Sequence, residues 1–295
     1  MKKALIAYFS QGGTTERIAT EISNGLHAKG YVAELYSITD KISSRDVKDY
    51  DLLGVGTPAY IARPPFNVMD YVKSLPNLQG LPFFVFILYG VDQGTTGNII
   101  RKELAGKGGR EVGYKKFKGA DRFVGYLQRG VFFSPDNPSQ KELEQARQFA
   151  NNTVGYIKGN RYSRQPKDPL PFAAFSFERF LTMRFIIRYF FSYFFKADKK
   201  KCSSCGLCVK KCPQQNIKLN QEGIPQWGHD CILCFYCELN CPEEAVTTPI
   251  DWPVFAPLIN YNIYLGKNHP SVEWVPIVHR KGKTKRIAIE TPSKI

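Results

Sequence analysis

Eight cysteines are the residues here most able to do chemistry, and all of them lie between Cys202 and Cys241. They form two runs, KCSSCGLCVKKCP and HDCILCFYCELNCP. Each reads C-x2-C-x2-C-x3-C followed by proline. Structural zinc takes four ligands, typically as two separated C-x2-C pairs. A third cysteine at the same step, then C-P, and the whole pattern twice over, does not suit zinc. A cubane cluster needs four thiolates converging on four irons. Three cysteines at steps of three wrap a loop around one cluster, and a helix begun there carries the fourth to the other cluster. The spacing therefore predicts two 4Fe–4S clusters. Cys202, Cys205, Cys208 and Cys241 hold one, and Cys212, Cys231, Cys234 and Cys237 hold the other. Pro213 and Pro242 turn the chain after each crossing ligand. His229 is read as a surface or packing residue, because the thiolate set is complete without it.

These residues resemble those of bacterial two-cluster ferredoxins over about 50 positions. The resemblance implies a small α+β domain, placed at residues 198–250. Cysteines so clustered, with none in the first 201 residues, argue against a secreted disulfide framework and for a reducing compartment. A cytoplasmic, anaerobic-type setting is expected.

The elements at the other end of the chain position a second constellation. KALIAYFS is an apolar run of strand length. It is read as a strand and not a signal peptide, since it ends by Phe9 without a small-residue cleavage site. SQGGTTERIATEISNGLHAKG follows as a glycine turn and an amphipathic helix with Ile18, Ile22 and Leu26 on one face, stopping at Gly30. YVAELYSI, DLLGVGTP and PFFVFILYG read as three more strands. Helices are expected at about 66–75 and 97–107, and a last one is capped by Ser139 with Glu142. Strands alternating with helices predict an α/β, doubly wound parallel sheet over residues 1–160.

Ser10, Gln11, Gly12, Gly13, Thr14 and Thr15 present amides and hydroxyls at a helix start, which suits a phosphate. The loop has neither G-x-G-x-x-G nor Gly-Lys-Ser/Thr. A hydroxyl-rich, lysine-free cradle of this kind resembles the flavodoxin family. That resemblance implies FMN, with its phosphate on this loop. It also implies that the ring lies between Thr57, Pro58, Ala59 and Tyr60 after the third strand and Tyr89, Gly90, Gly97 and Asn98 after the fourth. Tyr60 and Tyr89 either stack on the ring or serve as ordinary loop-packing residues. Flavodoxins are usually acidic, whereas this chain carries a net charge of +15, so docking preferences do not transfer.

Residues 161–197 read as a linker (RYSRQPKDPLP) followed by one basic amphipathic helix. Met183, Ile187, Phe190 and Phe194 share a face, opposite Arg184, Arg188, Ser192 and Lys196. The helix packs between the two cofactor domains, or else it lies on a membrane surface or a partner. No run of about 18 apolar residues predicts a transmembrane helix. Residues 251–295 form an extension, first aromatic (Trp252, Phe255, Tyr261, Tyr264), then basic (HRKGKTKR). The basic run is read as a solvated face, with no nucleic-acid recognition pattern.

The whole resembles flavodoxin–ferredoxin fusion proteins. The resemblance implies an electron carrier relaying between two 4Fe–4S clusters and FMN. With no nicotinamide fingerprint, the expected partner is a redox protein, an acidic ferredoxin or an oxidoreductase drawn by the positive charge. Two alternatives stand beside it: an FMN-dependent reductase of a quinone or nitro compound, and a redox-sensing regulatory module. An oligomer is compatible with each.

Overall fold

The first apolar runs become β1 (Lys2–Tyr8), β2 (Tyr31–Ser37), β3 (Leu52–Pro58), β4 (Pro82–Tyr89) and β5 (Arg110–Lys118). All pair in parallel in the order β2-β1-β3-β4-β5. This is the doubly wound order whose switch point falls between β1 and β3. The helices of this unit are α1 (Thr14–His27), α2 (Phe66–Ser74), α3 (Thr96–Gly106), α5 (Gln140–Lys158) and α6 (Ala173–Leu181). The computed structural model describes residues 1–38, 47–159, 167–170, 173–280 and 283–286. Most of the linker stretch, 161–166 and 171, lies outside the described residues.

Burial explains why these runs are strands. β1, β3 and β4 are covered on both faces, so they need no alternation of polar and apolar residues. Ile18, Ile22 and Leu26 of α1 are buried with Ile6, Phe84, Phe86 and Phe149 in one core. Each such side chain contributes roughly 1.5–3 kcal/mol by leaving water. Gly54 and Gly56 of β3 make room for the stacked Phe84 and Phe86 rings. A Cβ at those positions would come within 2.3 and 2.1 Å of ring atoms. Ser139 and Glu142 form the expected capping box on α5. β5 was not expected from the sequence. Only Val112, Gly113, Tyr114 and Phe117 are buried in it, and its lysines dilute the apolar signal.

The chain divides into two units, Met1–Ala120 with Asp136–Arg184, and Asp121–Pro135 with Phe185–Ile295. The second unit contains α4 (Val124–Leu127), β6 (Val131–Phe133), β7 (Lys196–Ala197), α8 (Leu207–Lys211), β8 (Ile217–Leu219), β9 (Pro225–Trp227), α9 (Tyr236–Leu239), β10 (Val246–Thr247), α10 (Ala256–Asn268), β11 (Trp274–Arg280) and β12 (Lys283–Arg286). Helix α7 (Arg184–Tyr189) begins at the boundary residue. β6 pairs with β11, β7 with β10 and β8 with β9, all antiparallel. The Phe133 ring fills the space where a Cβ on Gly266 would stand, 2.7 Å away.

The single helix expected over 177–196 is broken into α6, α7 and a 3-10 turn at Phe191–Phe194. Tertiary hydrogen bonds break it. The Arg63 guanidinium takes the carbonyls of Arg179 and Thr182 at the end of α6. The Ser192 hydroxyl takes the carbonyl of Ile187 in α7. The expected apolar face is also displaced. Ile187, Phe191 and Phe195 are buried, while Met183, Phe190 and Phe194 are exposed.

Candidate cofactor sites

The two cysteine runs build two copies of one backbone device. In the first, Ser204 and Gly206 flank Cys205 with φ of 55° and 67°. In the second, Leu233 and Phe235 flank Cys234 with φ of 54° and 53°. Glycine costs nothing in the left-handed region, but Leu and Phe are strained there. A third left-handed residue follows each crossing cysteine, Gln215 at 48° and Glu244 at 49°. These turns aim amides at sulfur. Asn216 donates to Cys212 Sγ at 3.4 Å, Ala245 to Cys241 Sγ at 3.3 Å, and Leu233 to Cys231 Sγ at 3.4 Å. Hydrogen bonds to ligand sulfurs are among the features that tune an iron–sulfur group.

Short helices then separate the ligands. Cys208 lies in α8, and Cys212 ends that helix with extended backbone. Cys237 lies in α9, with Cys241 just beyond it. The result is two cavities. One is lined by Cys202, Cys205, Cys208 and Cys241. The other is lined by Cys212, Cys231, Cys234 and Cys237, with Phe195, Trp227 and Phe235. These are the two sets of four paired by their spacing in the sequence. Among the described residues, no three His, Cys, Asp or Glu side chains are grouped to hold one metal ion. Each set surrounds a volume, as a polynuclear cluster requires, so the donor set fits an iron–sulfur group.

The environments differ. Cys205 is exposed and Cys237 is buried. Burial pushes the Cys231 thiol up to about 12. Burial and the Cys234 thiol hold Cys237 well above its ordinary range, with the Trp227 indole N–H acting against the rise. A thiol so placed would release its proton to solvent on coordinating a metal. Beside it, Glu238 accepts from Gln128 at 2.6 Å and from Thr248 at 2.8 Å. Burial, then the Asp251 carboxylate, pushes Glu238 up to about 8. His229 bonds the Arg188 carbonyl at 3.2 Å and lies against Tyr193.

In the first unit, Ser10 to Gly13 form the turn after β1, with Gly13 at φ 81° as the N-cap of α1. The first amides of a helix have no carbonyl partner within it, and they carry the positive end of its dipole. The Ser10 hydroxyl accepts from the Glu16 amide at 3.2 Å, which fixes the turn. Thr15 is buried beneath it. This cradle fits an anionic phosphate.

The loops after β1 and β3 are fastened together. Phe9 donates its amide to the Gly56 carbonyl at 3.0 Å, and the Tyr60 hydroxyl donates to Gln11 Oε1. Thr57 is buried at the end of β3, and Pro58 is half-buried. Ala59 donates to the Leu88 carbonyl at 2.8 Å. Tyr60 and Arg63 exchange backbone bonds around Ile61 and Ala62, at φ 51° and 56°. A β-branched residue held there marks stored strain at the loop.

The loop after β4 places its residues differently. Lys118 Nζ lies 4.3 Å from the Tyr89 ring centroid and also donates to the Gly90 carbonyl at 3.5 Å. Gly97 lies against the Tyr114 ring. The Asn98 amide exchanges bonds with the Asp168 backbone, both at 3.0 Å. Asp168 itself is buried, paired with Lys116 at 3.0 Å and receiving the Tyr114 hydroxyl.

The sequence reading missed this fastening of residues 168–184. Besides Asp168, Arg179 reaches Thr95 at 3.0 Å and Arg184 reaches Asp70 at 2.6 Å. Arg63 is lowered to about 10 by burial, with Arg179 adding to the effect. No local spacing signals these long-range pairs.

Comparison with known proteins fits this architecture. The family model for the flavodoxin domain matches residues 5–127, and that for the 4Fe–4S dicluster domain matches residues 195–242. An uncharacterized protein of Methanocaldococcus jannaschii is 42% identical over 52 residues, 18% of this chain and 20% of that protein. The chain thus spans about a fifth of that relative's length. A second uncharacterized protein of the same organism is 26% identical over 160 residues, 52% of this chain and 98% of its own length. Among solved structures, a flavodoxin from the domain Archaea is 20% identical with a TM-score of 0.41, covering 53% of this chain and 99% of that one. The chain therefore joins a flavodoxin domain, matched over residues 5–127, to a 4Fe–4S dicluster domain, matched over residues 195–242.

Proposed function

We propose that the protein relays single electrons between two 4Fe–4S clusters and one FMN, and exchanges them with an acidic protein partner. The observation that carries this reading is the division of eight cysteines into two four-sulfur cavities, in a chain that also has an anion-ready loop after β1. When bound, the clusters supply one-electron steps and the flavin supplies one- or two-electron steps.

The chain's own residues then have distinct tasks. Cys202, Cys205, Cys208 and Cys241 would ligate one cluster, and Cys212, Cys231, Cys234 and Cys237 the other. Ser10, Thr14, Thr15 and the first amides of α1 would hold the FMN phosphate. Thr57–Tyr60 and Tyr89–Gly90 would border the ring. The buried cluster set would exclude water behind Phe195, Trp227 and Phe235.

Exchange with a partner would run through the exposed set. Lys200, Lys201, Lys210 and Lys211 are exposed close in sequence to Cys205, and Lys199 pairs with Glu222 at 2.6 Å. Exposed Asp198 is the nearest acid in sequence to Cys205, and Glu243 and Glu244 follow Cys241 of the same set. The local excess of lysine favours a negatively charged redox protein.

Anaerobic purification with iron, sulfide and flavin counts tests the reading. About eight irons and one FMN per chain are expected from two cubanes and one flavin site. Reduction by an acidic ferredoxin should slow as salt rises. Zinc in place of iron, or turnover with a small quinone at rates no protein partner matches, would reject the relay.

A further inference from the structure

Residues 185–197 hold seven aromatic rings, two basic residues and no acidic one. The fold uses only part of this stretch. Ile187, Phe191 and Phe195 are buried, and the Phe195 ring stacks on Phe235 beside the inner cysteine cavity. Phe185, Tyr189, Phe190, Tyr193 and Phe194 remain exposed. The face continues onto the segment before α10. The Trp252 ring lies 4.9 Å from Phe194, 6.4 Å from Phe190 and 6.1 Å from Phe255. Phe185, whose ring lies 4.8 Å from Tyr189, is 71% exposed, and Val254, between Trp252 and Phe255 in sequence, is 72% exposed. Scattered surface aromatics need no explanation, but a contiguous aromatic face does.

We propose that this face rests on the surface of an anionic lipid bilayer, holding the iron–sulfur unit at the membrane. Tyr and Trp are suited to the boundary between water and acyl chains. Phe185 and Val254 would enter the acyl boundary, while Arg188 and Lys196 meet the lipid phosphates. The Arg188 pairing with Asp230 is long, 3.9 Å, with both side chains about half exposed. Such a pair holds its guanidinium weakly. A second copy seated here would bring the same cations against themselves, whereas anionic headgroups complement them. Among the described residues, no helix is long and apolar enough to cross a membrane, so the contact is one of surface only.

The test uses the full chain, purified without air, in flotation with phosphatidylcholine vesicles and with vesicles that also contain phosphatidylglycerol. The protein should float with the anionic vesicles alone, and less so at high salt. Arg188→Gln and Lys196→Gln should each weaken binding about five-fold. Phe185→Ser with Val254→Ser should abolish it while circular dichroism stays unchanged. Val32→Ser, at an exposed position of β2, should have no effect. Flotation with neither vesicle, equal flotation with both, or unaltered binding by the double variant would overturn the proposal. So would light scattering showing a dimer that the double variant dissolves, since the face would then belong to a second copy.

Discussion

The Tyr60 hydroxyl donates to the side-chain carbonyl of Gln11, so two residues from different loops of the flavodoxin domain hold one another in place. Tyr60→Phe keeps the ring, which lies edge-on to Phe9 at 6.1 Å, and removes this bond. Losing one hydrogen bond of about 1 kcal/mol should weaken flavin binding roughly five-fold. Flavin fluorescence titration of the apoprotein checks it. Tyr60→Ala should cost more, because the ring goes as well.

Gly56→Ala should damage the flavodoxin domain more than its size suggests. The new methyl would lie 2.1 Å from Phe86, in a core with no space to give. Overpacking of this kind costs about 1–3 kcal/mol. The expected result is a lower unfolding midpoint by tryptophan-independent circular dichroism. Gly13→Ala, with nothing within 4 Å of its Cβ but φ at 81°, should cost about 1–2 kcal/mol by backbone strain alone.

The proposed crossing of ligands predicts a sharp iron count. Cys241→Ala should destroy the set that includes Cys205, although the two cysteines belong to different runs. Iron should fall from about eight to about four. A Cys205→Ala, Cys241→Ala double variant should lose no more than either single one. If the double variant lost nearly all iron, the crossed pairing would be wrong.

Asp168 ties the stretch before α6 to β5 and α3 through Lys116, Tyr114 and Asn98. Asp168→Ala leaves a buried phenol and an amine without their acceptor. With Lys116 partly exposed, the loss should be about 2 kcal/mol. Hydrogen exchange should quicken at residues 168–182 and stay unchanged in α5.

Asp121 gives a pH dependence of definite sign. Burial pushes its carboxyl up to about 6, against the Phe123 amide, which donates to it at 3.1 Å. The folded state therefore holds the proton more tightly than the unfolded chain does. Stability from this site is full below about pH 4 and declines as pH rises through 6, by on the order of 3 kcal/mol. The urea needed to bleach the iron–sulfur absorption should drop between pH 4.5 and 7.5. Asp121→Asn should flatten that drop.

What the sequence made legible followed from local rules. β1, β3 and β4 announced themselves as apolar runs, and the cysteines as covalent spacing. β5 did not, because Lys115, Lys116 and Lys118 interrupt its apolar residues and leave no run or regular alternation to read. The end of α6 was hidden for another reason. It is set by Arg63, more than a hundred residues away, and not by glycine or proline. The left-handed Leu233 and Phe235 carry no signal of their own, yet they align with Ser204 and Gly206 once the cysteines are superposed.

Residues 121–135 belong with the dicluster part, although they precede α5 of the flavodoxin part. Cutting the gene at the proline-rich stretch would not yield two independent proteins. The downstream fragment would lack the partner strand of Trp274–Pro276, the ring that fills the groove at Gly266, and the amide that steadies Glu238. Whoever wishes to study the halves separately must graft that short excursion back onto the second one, or accept a fragment with an open seam.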